Sequence, residues 1–132
     1  MPYCYHDYGS DAIMYIVYFA THPQHYKRGI GTGSLKAVLE LARKFYKEEE
    51  VCKPIHPDAP KEFPSQTNVD FLGALFTTPI SQKMAKKLNW EEVKDFYYKD
   101  FTYKGQTFAS KLPEDNQKAL YMARDVNRGL PP

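Results

Sequence analysis

Apolar positions in the first third of the chain follow two different spacings. Ala12 to Ala20 forms a nearly continuous apolar run, which predicts a buried strand. From Thr32 to about Tyr46, apolar residues recur every three or four positions, as on a helix with one buried face: Leu35, Val38, Leu39, Ala42 and Phe45. A strand followed by an amphipathic helix predicts an α/β domain with the helix packed on a sheet.

The second half of the chain has the same order of apolar patterns. Val69 to Phe76 is almost entirely apolar, which predicts a central parallel strand covered on both faces. Thr78 and Pro79 then have the residue types of a helix cap and a first helical position. We expect the side of this helix that faces the core to carry Ile80, Met84, Ala85 and Leu88. The solvent-exposed side should carry Lys83, Lys86 and Lys87.

The remaining segments carry weaker signals. Val51 to Asn68 contains four prolines and predicts a surface loop, either a lid or a variable insertion. Val93 to Phe101 is rich in aromatic residues, and Lys104-Gly105 predicts a turn. Helix propensity alone favours a helix for Lys118 to Arg124.

Composition narrows the class of protein. A chain of 132 residues fits one domain, residues 1–132, and a formal charge of +2 with mixed signs favours neither a nucleic-acid nor a membrane surface. Two cysteines and the lack of an apolar leader predict a reducing, cytoplasmic location. The eleven tyrosines and eight phenylalanines either line an aromatic pocket or fill the core.

A glycine-rich basic turn joins the first strand to the first helix. Glycines at 29, 31 and 33 leave backbone N–H groups unshielded, and the helix start adds unpaired donors and a positive dipole end. The pattern predicts a cradle for phosphate or pyrophosphate. Ser34 stands where the dinucleotide fingerprint needs its third glycine, and no P-loop sequence is present, so NAD and ATP are disfavoured.

Two segments around this turn resemble the GCN5-related N-acetyltransferases. Tyr15 to Pro23 is similar to their fourth strand, and Tyr26 to Gly31 to their acetyl-CoA loop, although Tyr26 replaces the usual Gln or Arg. The resemblance implies acetyl-CoA as cosubstrate. It assigns the pantetheine and pyrophosphate contacts to ten residues: Phe19, Ala20, Thr21, Lys27, Arg28, Gly29, Ile30, Gly31, Thr32 and Gly33.

Later segments resemble the insect arylalkylamine N-acetyltransferases within that family. The similarity lies in Thr77 to Trp90, Phe96 to Phe101, Tyr103 to Gly105 and Ala119 to Arg124, and it makes the last of these a strand. Thr77 and Ser81 match the subfamily's two active-site hydroxyls, so Ser81 is the candidate catalytic residue with Thr77 in support. The alternative is that both hydroxyls only satisfy backbone groups at a helix start.

Two further functional positions of the family are not matched. Ala85 stands where many members have a tyrosine acid, and Asn116 where the subfamily has a histidine. The resemblance also begins almost at the fourth strand, and Met1 to Asp11 is too short to supply the preceding elements. We therefore expect an N-terminally truncated mixed α/β sheet with a parallel central strand pair flanked by helices.

Three functions remain open from the sequence. The first is acetyl transfer to a small arylalkylamine, the second a CoA-binding module that has lost its amine site, and the third another phosphate-binding α/β domain. An unpaired strand edge near Ile16 would favour self-association. The four scattered histidines have no metal-ligand spacing, so we expect no metal. Asp70 either satisfies local backbone groups or attracts a cationic amine.

Overall fold

The computed structural model describes residues 13–47 and 69–131. The proline-rich segment 51–68, both cysteines, two of the four histidines and the segment before Ile13 lie outside the described residues. The described part contains these elements: β1 (Ile13–Ile16), α1 (Ile30–Tyr46), β2 (Phe71–Phe76), α2 (Pro79–Lys87), β3 (Glu91–Tyr97), β4 (Thr102–Tyr103), β5 (Gln106–Thr107) and β6 (Lys118–Asp125).

Four of the strands form one mixed sheet in the order β1-β2-β6-β3. β1 and β2 are parallel, whereas β6 runs antiparallel to both β2 and β3. This confirms the predicted α/β fold with a parallel strand pair. Within the described ranges β1 has a strand neighbour on one side only, so self-association through its edge stays a prediction.

Both helices bury an apolar stripe against the sheet. Leu35, Leu39 and Ala42 of α1 are buried, and Val38 and Phe45 pack beside them, as their spacing predicted. The helix begins at Ile30, two residues before the predicted start. It begins there because Gly29 adopts a left-handed conformation, with φ of 75°, that directs the chain into the helix.

The cap of α2 is confirmed, but one of its predicted core residues is not. The Thr78 side chain accepts a hydrogen bond from the backbone N–H of Ser81, and Pro79 is the first helical residue. Ala85 and Leu88 are buried, whereas Ile80 is 81% exposed, so its assignment to the core was wrong. The buried stripe of α2 instead contains Gln82, three residues before Ala85, and this phase turns Ile80 away from the core.

The predicted strand from Ala12 to Ala20 is wrong in its second half. Pairing with β2 ends at Ile16, and Val17 and Tyr18 are 68% and 94% exposed. The apolar run of β2 predicted a strand covered on both faces. The face that carries Leu75 is less covered than predicted, since Leu75 is 42% exposed. In these two segments, some apolar residues are therefore exposed at the surface and others belong to the core.

The segment from Lys118 is a strand, as the resemblance implied and against its helix propensity. β6 pairs with β2 on one side and β3 on the other, and Ala119 to Arg124 are all buried. Hydrogen bonding on both sides outweighs a local preference of a few tenths of a kcal/mol per residue. The turn at Lys104-Gly105 is also confirmed, since both residues have positive φ between β4 and β5.

The helix α2 ends at a residue that needs an unusual backbone conformation. Asn89 has φ of 64°, and its side-chain amide donates to the carbonyl of Gly129 at 3.0 Å. Asparagine tolerates this left-handed region better than most residues, which suits it to the end of this helix. Trp90 then packs edge-on against Phe76 in the core. Neither α1 nor α2 has the length and apolar character that crossing a membrane requires.

Candidate functional site

A cleft opens where the two parallel strands separate. β1 and β2 pair from Ile13 opposite Phe71 to Ile16 opposite Ala74. Beyond this point β2 continues against β6 alone, while Val17 to Thr21 runs on without strand pairing. The gap between them is part of a cleft of about 700 Å³, and the start of α1 and the start of α2 complete its walls.

Most of the predicted cofactor-binding residues meet at this cleft. Eight of the ten line it: Phe19, Ala20, Thr21, Lys27, Gly29, Ile30, Gly31 and Thr32. Arg28 and Gly33 are not among the lining residues. The guanidinium of Arg28 lies 3.0 Å from Nδ1 of His25, in the short turn Pro23–His25 that precedes the glycine-rich segment.

The first turn of α1 presents backbone donors at the cleft. The N–H of Gly33 donates to the carbonyl of Gly29 at 2.9 Å and is therefore used within the helix. The N–H groups of Ile30, Gly31 and Thr32 precede this first intrahelical bond, so helix geometry leaves them without intrahelical acceptors. All three residues line the cleft, where the helix dipole adds positive potential. This arrangement suits an anion such as a pyrophosphate.

Gly31, in the first turn of α1, lies next to Met84 of α2. A Cβ atom there would lie 3.1 Å from Sδ of Met84 and 3.7 Å from Cζ of Phe19. Phe19 and Met84 also line the cleft, so these close contacts belong to the cleft wall. Lys27 enters the same turn with φ of 61°, a conformation that costs a lysine free energy and that is common at ligand sites.

The predicted hydroxyl pair lies on the opposite wall. Thr77 and Ser81 both line the cleft, at the end of β2 and in the first turn of α2. Oγ of Ser81 lies 2.9 Å from Oγ1 of Thr78 and donates to the carbonyl of Thr78 at 3.0 Å. The backbone N–H of Thr78 donates to Oγ of Ser81 at 3.3 Å. Ser81 therefore has a capping role in addition to its place in the cleft.

Two residues that the sequence did not single out fix the backbone beneath these hydroxyls. Gln82 is buried, and its side-chain amide donates to the carbonyls of Phe76 at 3.1 Å and Lys118 at 2.8 Å. The phenol of Tyr98 donates to the carbonyl of Thr77 at 2.8 Å, and burial raises the pKa of this phenol. Gln82 had a sequence signal, because it falls three and six residues before Ala85 and Leu88 on the buried stripe. Tyr98 had none.

The two unmatched family positions lie away from the cleft. Ala85 is fully buried against the sheet, so a tyrosine would not fit there without displacing the core. Asn116 does not line the cleft, and its side-chain oxygen is buried without a hydrogen-bond partner. Asp70 precedes β2 and is thus at the far end of that strand from the cleft. Residues 13–47 and 69–131 contain no group of three potential metal ligands.

Comparison of the sequence with protein-family models and with curated proteins gives no match. The fold, in contrast, is similar to solved insect structures. Arylalkylamine N-acetyltransferase 2 from Aedes aegypti superposes with a TM-score of 0.65 at 14% identity, over 94% of this chain and 47% of that protein. A mosquito arylalkylamine N-acetyltransferase like 5b gives 0.61 at 18% identity, over 92% and 47%.

A third structure, from the yellow fever mosquito, carries the provisional name arylalkylamine N-acetyltransferase 7. It superposes with a TM-score of 0.63 at 19% identity, over 94% of this chain and 43% of that protein. The chain thus spans less than half the length of these proteins. Its described part has the α/β fold of the GCN5-related N-acetyltransferases, as found in these mosquito structures.

Proposed function

We propose that this protein binds acetyl-CoA and transfers the acetyl group to a small arylalkylamine. The observation that carries the proposal is the separation of β1 from β2 beyond Ile16 and Ala74, with the start of α1 at the rim of the resulting cleft. This geometry offers a slot for an extended chain beside an anion-binding helix end. The predicted cytoplasmic location belongs to the same proposal.

The backbone of α1 is suited to the pyrophosphate of CoA. The donors are the N–H groups of Ile30, Gly31 and Thr32, and Lys27 adds a positive charge at the cleft wall. Phe19 to Thr21 would accompany the pantetheine arm through the slot. When bound, the cosubstrate supplies an acetyl thioester.

Ser81 is the candidate proton donor. Acetyl transfer forms a bond between the amine nitrogen and the acetyl carbon, breaks the carbon–sulfur bond and leaves a thiolate that needs a proton. Ser81 lines the cleft, and its hydroxyl donates to the carbonyl of Thr78 at 3.0 Å. Ser81 recovers its proton from the amine, which loses one as the amide forms. Thr77 supports this site from the preceding strand end.

Exposed apolar residues support an apolar amine. Val17, Tyr18 and Ile80 are each at least 68% exposed, and all three line the cleft. Side chains of this kind lose contact with water when an aromatic substrate covers them. The side chain of Ile80, which the apolar pattern assigned to the core, thereby acquires a role in the substrate site.

The alternative is a CoA-binding module without catalysis. It is favoured by the burial of Ala85, which stands where many family members have a tyrosine acid. This alternative retains the anion site of α1 and makes the hydroxyls of Thr77 and Ser81 purely structural.

Calorimetry with acetyl-CoA, followed by an assay for free thiol in the presence of tyramine and related amines, tests both functions. Binding with amine-dependent thiol release supports the transferase. Binding without release supports the module, and a folded protein that binds no acetyl-CoA contradicts both. ATP serves as a control ligand, because the sequence pattern disfavours it and equal binding of ATP would indicate another phosphate-binding domain.

A further inference from the structure

The peptide bond between Thr77 and Thr78 is held from both sides. Its carbonyl oxygen accepts a hydrogen bond from the phenol of Tyr98 at 2.8 Å. Its N–H, on Thr78, donates to Oγ of Ser81 at 3.3 Å. A continuous chain of hydrogen bonds thus runs from Tyr98 through one peptide group to the hydroxyl that lines the cleft.

We propose that Tyr98 is a positioning residue, which orients and polarises the Thr77–Thr78 peptide so that Ser81 is prepared to give up its proton. This inference rests on the proposed function. Tyr98 itself is not among the cleft-lining residues, so it acts through the peptide and Ser81. Neither the sequence pattern nor the family resemblance assigned it a role.

Hydrogen bonds in such a chain strengthen one another. Donation to a peptide carbonyl withdraws electron density from the peptide and makes its N–H a better donor. A better donor to Oγ of Ser81 stabilises negative charge on that oxygen as its proton leaves. The phenol therefore lowers the cost of proton donation at a site it does not touch.

The surroundings of Tyr98 keep the chain of bonds in place. Its backbone N–H donates to the carbonyl of Gln117 at 2.9 Å, which ties the turn after β3 to the chain entering β6. Gln82 holds the preceding carbonyl, that of Phe76, at 3.1 Å. The two successive carbonyls at the end of β2 are thus fixed by side chains from two different segments, and the peptide has little freedom to rotate.

Tyr98→Phe removes the phenol oxygen and keeps the ring. We expect kcat for acetyl transfer to fall about tenfold, with KM for acetyl-CoA within about twofold of wild type. The matched control is Tyr97→Phe, which removes a neighbouring phenol whose oxygen lies 3.4 Å from Oδ2 of Asp95 on an exposed strand position. This control should keep the wild-type kcat.

A double variant separates positioning from general stability. In a Ser81→Ala background, Tyr98→Phe should cause no further loss of kcat, because the residue through which it acts is gone. An equal loss in both backgrounds would overturn the proposal.

The amide signal of Thr78 gives a readout that needs no turnover. Loss of the phenol should move its proton shift upfield and speed its hydrogen exchange, while amides of the buried strand β6 stay unchanged. Wild-type protein that releases no thiol would contradict the proposed function and remove the positioning role of Tyr98 with it. Wild-type activity that survives Tyr98→Phe unchanged would overturn this inference alone.

Discussion

Gly31 of α1 and Met84 of α2 are neighbours in the wall of the cleft. A Cβ atom on Gly31 would lie 3.1 Å from Sδ of Met84, closer than nine in ten real Cβ contacts. Met84 is half-buried against the same core that α1 packs on. A side chain at position 31 would therefore press on Met84 and change the wall of the cleft.

Gly31→Glu should abolish acetyl-CoA binding. The new side chain adds bulk against Met84 and a negative charge where the proposed pyrophosphate would bind. Calorimetry should detect no heat of binding at concentrations that saturate wild type. The control is Gly129→Glu, with the same change of charge at a position where a Cβ meets no atom within 4 Å and which does not line the cleft. Unchanged affinity in Gly31→Glu would contradict the proposed anion site.

Ser81→Ala should lower kcat for amine acetylation at least tenfold and also reduce stability by about 1 kcal/mol, because the hydroxyl belongs to the cap of α2. Ser110→Ala is a chemically matched control. Ser110 donates to the carbonyl of Thr107 at 2.7 Å, three residues before it, in the same relation as Ser81 to Thr78, and does not line the cleft. It should lose stability only. If both variants keep wild-type turnover, Ser81 has only its capping role.

Gly73→Ala should destabilise the sheet by about 1–3 kcal/mol, since a Cβ there would lie only 2.7 Å from the phenol oxygen of Tyr121. Tyr121 is almost fully buried and its ring stacks on Tyr15, so it has little room to move. Urea denaturation of Gly73→Ala, Tyr121→Phe and the double variant measures the coupling. The double variant should be more stable than the sum of the single losses predicts, and strict additivity would argue against this steric account.

Arg124→Met should have a free energy of unfolding that is at most about 1 kcal/mol below that of wild type, or higher than it. Arg124 is 1% exposed, and two of its three guanidinium nitrogens have no hydrogen-bond partner among residues 13–47 and 69–131. Burial and then the nearby charges of Arg43 and Arg128 lower its pKa, which marks an unfavourable place for a cation. Methionine keeps the volume without this cost.

The comparison variant is Arg124→Ala, which leaves a cavity between β6 and the helices. It should lose about 3 kcal/mol in urea denaturation. A methionine variant as unstable as the alanine variant would mean that the bonds from Nη2 of Arg124 to the carbonyls of Arg128 and Gly129 outweigh the cost of burial.

Local sequence determined the elements whose apolar spacing and end signals agree. The stripe from Leu35 to Phe45 specifies one face of α1, and Thr78-Pro79 specifies the start of α2, since both signals act within a few residues of chain. The sequence also predicted the glycine turn, because glycine adopts positive φ easily, as Gly29 does. The resemblance to the acetyltransferases predicted β6 as a strand, whereas helix propensity alone predicted a helix for the same segment.

The tertiary structure determined the features that depend on contacts between residues distant in the sequence. The pairing of β1 with β2 ends at Ile16 and Ala74, so the second half of the predicted strand Ala12 to Ala20 lines the cleft and is not buried. The orientation of α2 about its axis places Ile80 at the same cleft and not in the core. The contact of Tyr98 with Thr77 joins residues 21 positions apart through the path of β3 and has no local signal. Apolar spacing specifies which face of an element is buried, whereas only packing among distant strands determines where that burial stops.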